Sequence, residues 1–363
     1  DIKICTSKSL SNFWGAYQKD DSAFMGWYSA DDYSEQPITE ITEVGNITLY
    51  AKFIESTNLQ YNEENGGYTV SGYIGTPTKI IIPDYHLGKP VLKIGNTFYD
   101  CSSLTSVVFG KNSQLTSIDE YAFQICSNLA SIEIPSSVTS IGYAAFWGCG
   151  NLTSVVFGEN SQLTSIGDSA FYECSSLTSI EIPSGVTSIG NSAFSGCSNL
   201  TSVIFGENSQ LTSIGERAFY GCSSLTSIEI PSGVTSIGEY AFHSCSSLTS
   251  IEIPSGVTSI GLSAFVFCDI ETIYYGGTSI LDWRNIEGIE NPNIPSDTVI
   301  YYYSEEKPTT TGNYWHYVNG IPTPWEWGEM KTFHFETNGG NKIEDIIAAA
   351  LTELPYPTKE GFY

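Results

Sequence analysis

Between positions 101 and 268 the apolar residues recur in a fixed order: Leu-x-x-Ile-x-Ile, then Val-x-x-Ile-Gly, then Ala-Phe, with Val and Phe replacing the first Ile pair in alternate copies. In one copy Leu177, Ile180 and Ile182 are separated by Ser179 and Glu181. Ile180 and Ile182 alternate at period two, the spacing of a short strand with one buried face. Ser179 and Glu181 then point the other way. Residues 186–189 repeat the idea and predict a second short strand or turn. Ala193 and Phe194 are expected to plug the coil from its far side. One copy cannot bury its Leu, Ile and Phe alone, whereas stacked copies bury them against their neighbours.

The period supports stacking. Cysteines stand at Cys101, Cys126, Cys149, Cys174, Cys197, Cys222, Cys245 and Cys268, at intervals of 25, 23, 25, 23, 25, 23 and 23 residues. A fixed period of this size predicts a β-rich solenoid of parallel, stacked short strands. The two rung lengths differ in one turn, Pro-Ser-Gly in the short rung and Gly-Glu-Asn-Ser-Gln in the long one. Both are turn formers, so the extra residues are expected in a surface loop.

In-register parallel strands lie about 4.8 Å apart with equivalent side chains pointing the same way. A disulfide needs converging Cβ atoms roughly 3.8 Å apart, which stacked cysteines do not provide. Zinc is also disfavoured, because no Cys-x-x-Cys pair exists and only four histidines occur. The eight repeat cysteines therefore read as an inward column of small structural thiols filling a tight corner. Cys5 lies outside the repeat and has no assigned role.

Forty acidic residues against fourteen basic ones give the 363-residue chain a net charge of −26. Such a surface repels nucleic acid and anionic membrane. No run of eighteen apolar residues is available to span a bilayer. The start at Asp1 fits a mature or trimmed segment. Phosphate-binding glycine loops, nucleophile elbows and His-Glu zinc helices are not found in the sequence. His86, His243, His316 and His334 are scattered along the chain. The reading is of a protein without catalysis, cofactor or metal. The Gly-Glu-Asn turns at Glu159 and Glu207 offer too few ligands for calcium.

The unit Cys-x-x-Leu-x-x-Ile-x-Ile-Pro-x-x-Val-x-x-Ile-x-x-x-Ala-Phe, matched in tandem over 126–265, resembles the BspA-like, or Treponema pallidum-type, leucine-rich repeat. The segment TKIIIPDYHLGKPVLKIGNTFYDC departs from it and suits an end cap, as does the aromatic segment ending GNYWHYVNGIPTPW. Residues 24–53, FMGWYSADDYSEQPITEITEVGNITLYAKF, look like the second half of a Listeria–Bacteroides repeat, the B-repeat of bacterial surface proteins. Residues 333–363 look like the first half of another and stop before their own Phe-x-Gly-Trp-Tyr strand. In that tail Phe333 and Phe335 alternate as a strand, and Ile343, Ile346, Ile347, Ala350 and Leu351 mark one helical face. These resemblances imply a leucine-rich-repeat solenoid with small β-grasp-like flanking modules. The expected organisation is a B-repeat-like module at 1–54, a linker and cap rung at 55–100, repeats at 101–269, an aromatic cap at 270–328 and the start of a second module at 329–363. They also imply an extracellular or bacterial cell-surface location, and adhesion to host matrix proteins or to other bacteria.

Positions that vary between internal copies are released from the packing constraint. The outward column of the first strand reads Val108, Glu133, Val156, Glu181, Ile204, Glu229 and Glu252, beside a column of serines. Its shallow, acidic and apolar surface would accept an extended basic or mixed partner, although alternation also follows from rung duplication alone. A second set follows Ala-Phe: Trp147, Tyr172, Ser195, Tyr220, His243 and Val266. Its aromatic members, Trp147, Tyr172, Tyr220 and His243, either anchor a ligand or cover the seam between rungs. A third set, Tyr274, Tyr275, Trp283, Tyr301, Tyr302, Tyr303, Trp315, Trp325 and Trp327, either stacks on sugars or forms the core of the cap. The function expected is non-catalytic binding of a protein or glycan on host or bacterial surfaces. The alternatives are a passive stalk holding other domains, and glycan capture by the cap. Lys111 and Arg217 are the sole basic residues between Cys101 and Cys268, so a partner docking there needs compensating positive charge.

Overall fold

The computed structural model describes residues 22–28, 49–56, 59–289, 294–295, 297–309 and 311–326, with short strands at 2–4, 8–9, 40–41, 45–47, 331–333 and 346–348. The repeats form a coil with two strands per rung and a strand-free far side. The second strands are two residues long, as in Ser165–Ile166 and Ser188–Ile189. They stack in one parallel ladder, Ile118 on Ile141, Ile166, Ile189, Ile214, Ile237 and Ile260 in turn. Each Ile is buried. The preceding Thr hydroxyls reinforce the ladder: Thr187 donates to the Thr164 carbonyl (3.2 Å) and Thr212 to that of Thr187 (3.0 Å). From Ser140–Ile141 onward glycine closes every second strand, because the rungs approach closely there. A Cβ on Gly190 would sit 2.6 Å from the Asp168 backbone nitrogen.

The first strands pair in twos. Ser131–Ile134 pairs with Ser154–Phe157, and Ser179–Ile182 with Ser202–Phe205, residue for residue and parallel. No registered pairing joins 154–157 to 179–182. The two extra residues of the long rung explain the grouping. They do not simply bulge into solvent, because the long turn bonds back onto the short turn before it. Gly158 N–H donates to the Ile134 carbonyl and Gln162 N–H to that of Ser136, and Gly206 and Gln210 do the same with Ile182 and Ser184. The structural unit is therefore a pair of rungs.

On the far side, Phe98, Phe123, Phe146, Phe171, Phe194, Phe219, Phe242 and Phe265 form one stack with centroid spacings of 5.1–5.7 Å. Strand-side amides donate in both directions, Thr164 back to Thr139 and Ile260 forward to Glu287, as a parallel ladder requires. Far-side amides donate to the following rung: Ala144 to Asp168, Phe146 to Ala170 and Gly148 to Tyr172.

All eight repeat thiols are free and buried. Seven of them donate to the carbonyl of the Phe in the preceding rung, for example Cys197 Sγ to Phe171 O at 3.2 Å. The Phe171 carbonyl also accepts the amide of Cys174 in its own rung. Burial pushes the Cys149 and Cys197 thiols up to about 12. Cys5 lies outside the described residues.

The strand Ser22–Tyr28 pairs antiparallel with Tyr50–Glu55, and Ser22 pairs with Tyr85, joining this hairpin to the sheet of the solenoid. Phe24 anchors the junction. Its amide donates to Asp84 Oδ2 (3.0 Å), and its carbonyl accepts from the Lys111 amide (2.6 Å). Asp84 is buried, its other oxygen has no partner, and burial pushes its carboxyl up to about 6. At the other end, the helical face expected around Ile346 and Ile347 is corrected. Ile346–Ala348 is a strand, antiparallel to Lys331–Phe333. Two consecutive β-branched residues favour a pleated backbone over a helix. Phe335, Ile343, Ala350 and Leu351 lie outside the described residues.

Candidate functional site: the outward face of the first strands

In each first strand two apolar residues face inward, both buried in the short rungs and the second, a Phe, half-buried in the long ones, and the residue between them stands outward. Glu133, Glu181 and Glu229 are exposed, and Val108 is half-buried. Val156 and Ile204, between the glutamates, are 53% and 56% exposed, high values for β-branched residues in a ladder. Glu133 faces Val156 in the registered pair, and Glu181 faces Ile204. Each two-rung unit thus presents one carboxylate and one aliphatic side chain. Glu229 and Glu252 break the alternation, bridging each other in consecutive short rungs.

The column does not end at the last repeat. Ser250–Ile253 pairs with Thr272–Tyr275, which pairs with Val299–Tyr303, then Tyr314–Val318 and Ile321–Pro324. Glu252 is in register with Tyr274, and Tyr274 with Tyr301. Tyr317 returns over this face, and its hydroxyl donates to the Glu252 carboxylate. Burial pushes the Glu252 carboxyl up, Tyr317 opposes that shift, and Glu229 adds to it. Trp315 is 1% exposed, with Tyr274, Tyr303 and Tyr317 edge-on at 5.6, 5.2 and 4.9 Å. Its indole N–H donates to the Tyr275 carbonyl at 2.8 Å. The acidic column and part of the aromatic cap, separate in the sequence, are therefore one continuous face. Tyr317 was not singled out from the sequence. The signal was present, since Trp315 and Tyr317 alternate at period two.

Elsewhere the cap packs inward. Trp283 and Tyr275 are buried and meet edge-on at 5.1 Å. Trp325 stacks on His316 at 3.6 Å. Trp327 lies outside the described residues. On the far side, Trp147 leans on Tyr172 at 4.9 Å and Tyr220 stacks on His243 at 4.7 Å. These four are half-buried, and the buried Ser195 separates the two pairs. Burial holds the His243 imidazole below its usual range, with Arg217 adding to the effect. His86 stacks on Tyr61, far along the chain from His243 and His316, and His334 lies outside the described residues. Among the described residues no group of three or more His, Cys, Asp and Glu is placed to hold a metal ion, and no helix is long and apolar enough to cross a membrane.

Rungs of 23 and 25 residues stacked on an Ile, Leu and Phe core define a leucine-rich-repeat solenoid, a repeat-protein scaffold. The family model described as BspA type leucine rich repeat region matches in six copies over 92–208 and 164–282, more than half of the chain. The chain belongs to that family. Among solved structures it is similar to a leucine-rich-repeat protein of T. pallidum, at 26% identity over 58% of this chain and 86% of that one, with a TM-score of 0.44. It is also similar to the pneumococcal vaccine antigen PcpA, at 17% identity over 69% and 93% of the two chains and a TM-score of 0.36. A leucine-rich cell surface protein of Faecalibacterium prausnitzii is similar at 24% identity over 63% and 96%, with a TM-score of 0.29. No curated protein matches the sequence.

Proposed function

We propose that this chain is a non-catalytic bacterial protein, extracellular or held at the cell surface, that binds a protein partner through the outward face of its first strands. The flanking modules act as spacers. One observation carries the reading: Val156 and Ile204 stand more than half exposed between exposed glutamates, in a column of first-strand positions that leads through Glu252 to the Tyr274–Trp315–Tyr317 cluster. Exposed aliphatic side chains flanked by like charges gain from being covered by a partner of opposite charge. Glycan capture by the cap is less well supported, because Trp283 and Trp315 are occupied in packing.

The test is capture from host-matrix and bacterial-surface extracts by the wild-type chain and by a Glu133→Gln/Glu181→Gln/Glu229→Gln variant with an unchanged melting curve. Saturable capture that weakens in the variant supports the face. Equal capture by both chains removes this face from the binding role, and capture by neither leaves the chain a stalk.

A further inference from the structure

The strand Ser22–Tyr28 meets the solenoid through polar groups rather than through a shared core. Phe24 packs on Trp27 at 5.7 Å and on Phe53 at 5.3 Å, and none of the three belongs to the continuous apolar core that runs from Tyr68 to Ile286. Main-chain groups bond across the junction instead. The Asp84 amide donates to the Ser22 carbonyl (3.2 Å), the Phe24 amide to Asp84 Oδ2 (3.0 Å) and the Lys111 amide to the Phe24 carbonyl (2.6 Å). Asp84 thus holds the strand by its backbone and by its side chain. Its carboxyl is 3% exposed and lies against Gly110, where a Cβ would overlap both oxygens. The slot is shaped around this one group.

The slot suits the acid and not its anion. Oδ1 has no hydrogen-bond partner, and one amide on Oδ2 does not replace the water that a carboxylate gives up. The cations on the surrounding elements are engaged elsewhere: Lys52 lies over the Tyr28 ring, Lys89 and Lys93 pair with Glu63 and Glu64, and Lys111 pairs with Glu133. The other titratable groups there are Tyr50 and Glu55 of the hairpin and Lys79, Tyr85 and His86 of the first rung, with His86 stacked on Tyr61. Burial raises the Asp84 carboxyl, only the Phe24 amide opposes it, and none of these side chains compensates.

We propose that Asp84 is the catch of a pH-operated hinge. With its carboxyl protonated, the N-terminal hairpin is fixed to the first rung; loss of that proton to solvent frees the strand Ser22–Tyr28 to lift away while the rungs stay folded. The hairpin is therefore held in one orientation in acid and released towards neutral pH, independently of the outward glutamates. The sign follows from where the proton is held more tightly. The docked carboxyl titrates at about 6, against 3.8 when exposed, so docking weakens as pH rises from about 4 to 6 and levels off above that. Between pH 4 and 7.5 the docking equilibrium falls roughly fiftyfold.

Hydrogen exchange read by mass spectrometry on the full chain tests this from pH 4 to 7.5, with each rate corrected for the intrinsic pH dependence of exchange. In the wild type, protection of residues 22–28 and of the Lys111 amide is expected to fall roughly fiftyfold across the range, while residues 131–260 keep theirs. Asp84→Asn keeps an uncharged acceptor for the Phe24 amide, and its profile is expected to be flat. Phe24→Ala loosens the junction without touching the carboxyl, and is expected to lower protection of 22–28 at every pH and to flatten its profile. A flat wild-type profile overturns the proposal, as does a profile as steep as wild type in either variant. Protection lost from the rungs together with the hairpin means general unfolding in place of a hinge, and overturns it too.

Discussion

Replacing Cys197 separates the two things its thiol does. The sulfur fills a fully buried corner, and the S–H donates to the Phe171 carbonyl at 3.2 Å across the rung interface. Cys197→Ala removes both. Loss of one buried heavy atom costs about 1 kcal/mol, and loss of a weak hydrogen bond about 0.5–1 kcal/mol. The Phe171 carbonyl keeps its second donor, the Cys174 amide, so the penalty of a bare acceptor is avoided. The expected destabilisation is about 1.5–2 kcal/mol. Cys197→Val puts two methyl groups where the sulfur stood, exceeds the volume of the corner and deletes the donor. Overpacking at about 1–3 kcal/mol makes it as costly as Ala or worse. Urea unfolding followed by circular dichroism measures both variants, with thiol titration run alongside. With Cys197 pushed up to about 12, the native repeat thiols are expected to resist a disulfide reagent at pH 8 and to react once urea unfolds the coil. Rapid native-state labelling of the repeat cysteines, or a Val variant as stable as wild type, refutes the reasoning.

Two other sites give clear expectations. Asp84 has its folded carboxyl raised from 3.8 to about 6, so the fold favours the protonated form, and its contribution to stability falls as pH rises from about 4 through 6. Asp84→Asn keeps an acceptor for the Phe24 amide and is expected to be more stable than wild type above pH 6.5, by on the order of 2–3 kcal/mol, with a flatter pH profile; parallel profiles count against the assignment. Tyr317→Phe removes the donor that favours charged Glu252, so the Glu252 titration followed by carbon NMR should move further up, with a stability loss near neutral pH of roughly 0.5–1.5 kcal/mol. An unmoved carboxyl resonance argues that the contact is not made in solution.

The rung architecture was legible because its signals are local and repeated. Ile180 and Ile182 alternate within one strand, and the cysteine period sets the stacking. The partners of those residues were not legible. Seven of the thiols bond to a carbonyl 26 or 28 residues earlier, a distance along the chain that no local pattern encodes. The pairing of rungs in twos was hidden for the same reason. The Gly-Glu-Asn-Ser-Gln turn reads as surface loop, and its bonds back to Ser136 and Ser184 emerge only on stacking. At the face, outward columns follow from period two, but the junction of Glu252 with Tyr274 and Tyr317 depends on a cap whose rungs lack the repeat spacing. In the tail, spacing alone suggested a helix at Ile346 and Ile347, and the β-branched pair answered to strand pairing.

The one-way bonding of the phenylalanine side has an electrical consequence. In a helix every peptide dipole points the same way and the ends carry fractional charge. The strand ladder holds amides of both senses, Thr164 donating back to Thr139 and Ile260 forward to Glu287, so its own axial field largely cancels. The far-side amides that bond from rung to rung, Ala144 to Asp168 and Phe146 to Ala170 among them, all donate forward, so their dipoles add along the axis and leave the end of the array towards the last repeat the more positive.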